Sequence, residues 1–170
     1  DLPGNRSELN FSALKRGKGP APFVDGKYYA LIIGIDQYQG SWTPLNNAVR
    51  DAQAVAQLLA TEYHFDTIKT LYNQNATRAN IIQELEGLQK QAVSEDNVFI
   101  YYSGHGDLRE NIGEGYWVPI DATTSSTSQM ISNDNVRSLV RGIDSKHTLL
   151  VLDACFAGDL FRGAREEEEE

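Results

Sequence analysis

A chain of 170 residues that is 41% hydrophobic and 23% charged has the composition of one globular domain with a real core. Its formal net charge is −9, but without the run Glu166 to Glu170 only 19 acids face 15 bases, and no basic stripe offers nucleic acid a binding surface. One cysteine excludes an internal disulfide and a cysteine-rich zinc site, and the lack of any 18-residue apolar run argues against a membrane partner. The opening residues DLPGNRSELN lack the basic and apolar blocks of a signal peptide, so a cytoplasmic location is expected.

Residues 1–26 carry Gly4, Gly17, Gly19, Pro20 and Pro22 without a sustained period and read as an extended arm. Tyr28 to Ile35, YYALIIGI, is a continuous apolar run, as expected of a strand buried on both faces in the middle of a parallel sheet. Asn46 or Asn47 is placed to cap a helix whose stripe is Ala48, Ala52, Val55, Ala56 and Leu59. Phe65 to Tyr72 reads as a less buried strand, and Thr77 precedes a second helix with Ile81, Ile82, Leu85 and Leu88 on one face. Asp96 to Ser103, DNVFIYYS, is a second strongly apolar strand that stops at Gly104-His105-Gly106. The stretch Asp107 to Gly115 reads as a charged loop, and Tyr116 to Ile120 as a short strand or hairpin arm, because Pro119 argues against a central strand. Ser132 or Asn133 starts a short helix through Val136, Leu139 and Val140, and Lys146 to Leu152 is the last strong strand, delivering Asp153-Ala154-Cys155. The alternation predicts an α/β three-layer sandwich with a mostly parallel central sheet. No closing helix follows the last strand, so elements from elsewhere are expected to complete the sheet.

In open α/β sheets, ligands bind where loops leave the carboxyl ends of the strands. Three such ends lead to unusual polar groups: Asp51 after the first strand, Ser103-Gly104-His105-Gly106 after the third, and Asp153-Ala154-Cys155 after the last. Adjacent strands would bring the thiol of Cys155 and the imidazole of His105 to one rim. There the thiolate attacks a carbonyl and the imidazole moves the proton to the leaving amine. The N–H groups of Gly106 and Cys155 would hold the negative oxygen of the tetrahedral intermediate. No residue that orients His105 is identifiable, and a backbone carbonyl would suffice. Each residue also has a bland reading: a lone cysteine at a strand end as a small buried hydrophobe, a histidine between glycines as a turn residue, and Asp51 as a surface acid.

Tyr101-Tyr102-Ser103-Gly104-His105-Gly106, followed by Asp153-Ala154-Cys155-Phe156-Ala157-Gly158, closely resembles the caspase-like cysteine peptidases, nearest to metacaspases and bacterial caspase homologues. ALIIGIDQY from Ala30 and LNNAVRDA from Leu45 resemble the family's first strand and first helix. This chain departs from the caspase signature in having Asp153 where caspases carry glutamine, and in having Ala48 where metacaspases often carry a second cysteine. The resemblance implies a caspase-like large subunit, with a catalytic core over 27–163 and a His105–Cys155 dyad that cleaves peptides through a thioester. It makes 1–26 a candidate prosegment remnant and 164–170 the acidic start of an intersubunit linker or tail, with Arg165 a candidate autocleavage position. It also implies a small-subunit segment or chain as a partner that completes the fold.

Metacaspase-like members cut after arginine or lysine, with acids at positions matching Asp51 and Asp153 and a serine matching Ser103. The substrate implied is therefore a protein or peptide with a basic P1 residue, arginine favoured. Two carboxylates converging on one pocket repel each other, and a guanidinium relieves that repulsion while donating bidentate hydrogen bonds. The competing specificity is an acidic P1 read by Arg50 or Arg109. No metal site is read and no cofactor is required. Calcium, needed by some family members, is left open, because Glu110, Glu114 and Asp121 are too scattered to form a ligand set. Arg6, Lys15, Arg16 and Lys18 in the arm would suit a segment that covers an acidic pocket before activation. Two other functions compete with the peptidase: an inactive scaffold that uses the groove only for binding, and a related regulatory cysteine peptidase with a His-Gly/Ala-Cys pairing and another specificity.

Overall fold

A computed structural model describes residues 26–154. Four parallel strands form the main sheet: β1 (Tyr28–Gly34), β2 (Thr67–Tyr72), β3 (Asn97–Ser103) and β7 (His147–Asp153), in the order β2-β1-β3-β7. The helices are α1 (Ala48–Glu62), α2 (Arg78–Gln91) and α3 (Asn133–Arg141). A second sheet of short antiparallel strands, β4 (Gly106–Arg109), β5 (Glu114–Trp117) and β6 (Ile131–Ser132), follows β3 in the chain.

The unbroken apolar run of β1 has a direct explanation. Side chains alternate across a strand, and both faces of β1 are covered. Tyr29, Leu31 and Ile33 pack with Ile81, Leu85 and Leu88 of α2 and with Val136 of α3. Ala30 and Ile32 face the other way, onto Ala52 and Leu59 of α1. The molecule is therefore the expected three-layer sandwich. β2 closes one side of the sheet with Lys69 and Thr70 exposed, in keeping with its mixed polarity. β7 forms the other side, where Leu149 remains exposed. At the opposite end from the strand tips, the buried Asp96 carboxylate accepts from the N–H groups of Lys27 (2.7 Å) and Val93 (3.0 Å), and its carbonyl accepts from Lys146 N–H. One residue thus ties together the starts of β1, β3 and β7.

Two local expectations need correction. The stretch Asp107 to Gly115 is not a plain loop. Most of it forms the β4–β5 hairpin, closed by N–H bonds from Ile112 and Gly113 to the Arg109 carbonyl, with Gly113 at φ +65°. A half-buried strand with charged residues has too little apolar alternation to stand out in the sequence, and the glycine supplies a conformation costly for other residues. Nor do the asparagines cap α1. Asn47 occupies the N-cap position without a side-chain cap bond, and Asp36 reaches across from the end of β1 to accept the Ala48 N–H at 2.8 Å. Thr77, the residue before α2, accepts from Asn80 N–H, and of the two candidates at the start of α3 it is Ser132 that caps, accepting from Asn135 N–H.

Gly34 is where α1 meets β1 most closely. A Cβ at this position would lie 2.7 Å from Ala52 Cβ and 2.9 Å from the Ala48 carbonyl oxygen, so the start of α1 sits directly on the strand tip. That contact fixes the helix end carrying Asp51 beside the carboxyl ends of β1 and β3. Among the described residues, no helix is long and apolar enough to cross a membrane.

Candidate active site

The strand register assembles the site. β3 and β7 pair so that Ser103 lies opposite Asp153, and β1 brings Gly34 alongside Ser103. Ser103 Oγ donates to Asp153 Oδ2 at 3.2 Å, and Gly104 N–H points to the Asp153 carbonyl at 3.4 Å. The 44–48 segment, Asp51, Ser103, Gly104 and Asp153 line one open cleft of about 290 Å³. Asp51 lies in the first turn of α1, where the helix N-terminus favours a negative charge. All three residues read as a basic-specificity pocket therefore share a cleft, and Ala48 sits in its wall. Among the described residues, no lysine or arginine lines it. Arg50 lies 3.6 Å from Asp51 on the exposed helix surface, and Arg109 pairs with Asp107 at 2.8 Å in the hairpin.

Tyr101, quoted only as part of a motif in the sequence reading, belongs to the same neighbourhood. Burial raises its hydroxyl above the usual phenol range; a bond with Ser103 opposes that, and the charges of Asp153 and Asp51 reinforce it. The signal that could have found it is its period-2 spacing from Ser103, which places both on one face of β3.

His105 lies two residues beyond Ser103. Its Nε2 lies 2.7 Å from the Thr43 carbonyl oxygen. A carbonyl only accepts, so Nε2 carries the proton and the neutral ring keeps its lone pair on Nδ1. The orienting group that sequence could not name is thus a backbone carbonyl, in the loop between β1 and α1. Asp36 anchors that loop: its N–H donates to Asn73 Oδ1 (2.9 Å), its carbonyl accepts from Leu45 N–H (2.8 Å), and its carboxylate holds Ala48. The rings of Tyr38 and Trp42 lie 4.9 and 5.5 Å from the imidazole, centroid to centroid. Beyond His105, the Val118 N–H bonds to the His105 carbonyl at 3.1 Å, which makes Gly106–Trp117 a pair that exchanges no ladder bonds. The Gly106 N–H consequently points away from β5.

Cys155 and Arg165 lie outside the described residues, as do residues 1–25 and the acidic run. The three acids considered for calcium do not come together. Asp121 Oδ1 accepts the Arg78 N–H at the start of α2, Glu114 accepts the Asp134 N–H at the start of α3, and Glu110 is exposed. Among the described residues, no three His, Cys, Asp or Glu side chains form a metal-sized group.

With this geometry in view, sequence comparison gives a family. The caspase domain profile of peptidase C14 matches residues 27–170. The chain belongs to the caspase-domain family. Metacaspases are among the relatives found. Metacaspase-6 of Arabidopsis thaliana is 30% identical over 151 residues, covering 81% of this chain and 40% of the relative. Metacaspase-1 of Saccharomyces cerevisiae is 36% identical over 95 residues, covering 51% of this chain and 22% of the relative. The chain thus spans less than half the length of these curated relatives. Among solved structures, protein GSU0716 from Geobacter sulfurreducens superposes with a TM-score of 0.65 at 21% identity, covering 84% of this chain and 64% of that one. That likeness bears on the caspase-domain fold alone.

Proposed function

We propose that this caspase domain is the large-subunit core of a cysteine endopeptidase that cleaves after basic residues, arginine in preference to lysine. The observation carrying the specificity is the convergence of Asp51, Ser103 and Asp153 on one cleft that ends at Gly104, the residue before His105. A P1 guanidinium entering there would donate charge-assisted hydrogen bonds to two carboxylates, with Ser103 holding Asp153 in place.

Cys155 is two residues beyond Asp153, as His105 is two beyond Ser103, and Ser103 and Asp153 are paired. Connectivity alone keeps the cysteine within about 7 Å of Asp153. In the proposed reaction His105 Nδ1 takes the thiol proton, and the thiolate attacks the carbonyl carbon after the P1 residue. The N–H groups of Gly106 and Cys155 hold the oxyanion. His105 then gives the proton to the leaving amine as the C–N bond breaks, leaving a thioester. Water, deprotonated by His105, releases the acid and regenerates the thiol.

The same reading makes β7 the seam to a small subunit. Among the described residues nothing pairs with its outer side, and Leu149 is exposed there, as suits further strands supplied by that partner. A basic pocket likewise makes Arg165 a suitable autocleavage position. The direct test of specificity uses matched fluorogenic peptides ending in arginine, lysine or aspartate at P1. Arginine and lysine peptides are expected to turn over at least about 100-fold faster than the aspartate peptide, since a misplaced anion would face two carboxylates. Preferential turnover of the aspartate peptide would overturn the pocket assignment.

A further inference from the structure

His105 is held at both ends of its backbone by tyrosine hydroxyls. Its N–H donates to Tyr38 Oη at 2.8 Å, while Tyr102 Oη donates to its carbonyl at 2.7 Å. Neither hydroxyl is free to drift. Tyr38 Oη in turn donates to the Ile35 carbonyl at 3.1 Å, at the end of β1. Tyr102 is fully buried, its ring stacks on Trp117 at 4.4 Å, and its hydroxyl lies 3.2 Å from both the N–H and the carbonyl of Val118. The clamp also accounts for Gly104: a Cβ there would lie 3.0 Å from both hydroxyl oxygens, tight enough to force one or both away.

We propose that Tyr38 and Tyr102 are positioning residues that lock the His105 peptide and thereby aim the imidazole, with Nε2–H on the Thr43 carbonyl. Tyr38 contributes twice, through its hydroxyl on the backbone and its ring beside the imidazole. Burial raises both hydroxyls well above the usual phenol range, so they remain neutral hydrogen-bonding groups throughout the working range of a peptidase. A peptide flanked by two glycines has unusual freedom to turn, and two fixed hydroxyls remove it. The inference rests on His105 acting as the acid–base group, but the clamp itself is observable without any turnover.

The test uses Tyr38→Phe and Tyr102→Phe in the intact protein; each keeps the ring and removes one hydroxyl. Imidazole signals of the three histidines are followed by nitrogen–proton NMR, with His64 and His147 as internal references. The expected result in either variant is loss of the slow-exchanging His105 Nε2–H signal with the reference signals unchanged. It is accompanied by a fall in kcat of about tenfold on an arginine peptide with KM within about twofold, because misaiming by a fraction of an ångström acts on chemistry rather than on binding. Whichever variant folds gives a decision. An unchanged His105 signal, or a raised KM at unchanged kcat, overturns the clamp. Wild-type protein with the Nε2–H signal but no cleavage of basic peptides would instead count against the proposed specificity and leave the clamp standing.

Discussion

His105→Ala is expected to lower kcat on an arginine peptide by about 10³-fold or more while the fold and KM stay close to wild type. General acid–base transfer typically contributes 10²- to 10⁴-fold, and here one imidazole serves both half-reactions. The geometry makes the prediction specific: the Thr43 carbonyl already occupies Nε2, so only Nδ1 is available for the thiol proton. His105→Gln is a stricter version, since an amide can hydrogen-bond but cannot carry a proton through the reaction. Steady-state kinetics with a parallel thermal melt decide the matter. A variant that retains more than a tenth of wild-type kcat would remove His105 from the chemistry.

The second large effect is expected at the pocket. Asp153→Asn and Asp51→Asn each keep size and remove one charge, and each should lower kcat/KM for arginine peptides by about 10- to 100-fold. Losing a hydrogen bond to a charged partner costs roughly 1.5–3 kcal/mol, and about 1.4 kcal/mol is a factor of ten. Asp153 should be the more sensitive, because it is tied directly to Ser103 at 3.2 Å and its backbone meets Gly104. The double variant should lose less than the product of the two single effects, as expected for carboxylates that share one guanidinium. The measurement is kcat/KM across arginine and lysine peptides; unchanged values in both single variants would take the two acids out of substrate recognition.

The main sheet was legible because its chemistry is strongly local. YYALIIGI and DNVFIYYS could hardly be surface strands, and the structure buries them on both faces. The polar groups at the strand tips were legible for a related reason: a run of apolar residues that ends in Ser-Gly-His-Gly has abrupt polarity where an α/β sheet binds ligands. What escaped the sequence was whatever depends on tertiary closure. The cap of α1 is Asp36, twelve residues upstream, and the group that fixes His105 is a carbonyl, which every residue has. In the sequence Tyr102 is one more aromatic in an apolar run and Tyr38 an aromatic between two glutamines; only folding turns their hydroxyls onto one peptide. The β4–β5 hairpin was hidden by charge, with Asp107 and Arg109 pairing on a strand whose four residues are all half-buried.

A reactive thiol at residue 155 that answers to a basic P1 group is tested most directly by covalent labelling. The intact protein is treated with an arginine-ended peptidyl acyloxymethyl ketone, digested and mapped by mass spectrometry, alongside Cys155→Ala and an aspartate-ended ketone. The expected result is stoichiometric modification of Cys155 by the arginine reagent, none in Cys155→Ala, and little by the aspartate reagent. Folded protein whose Cys155 stays unmodified by the arginine reagent, or is taken equally by both, would contradict it.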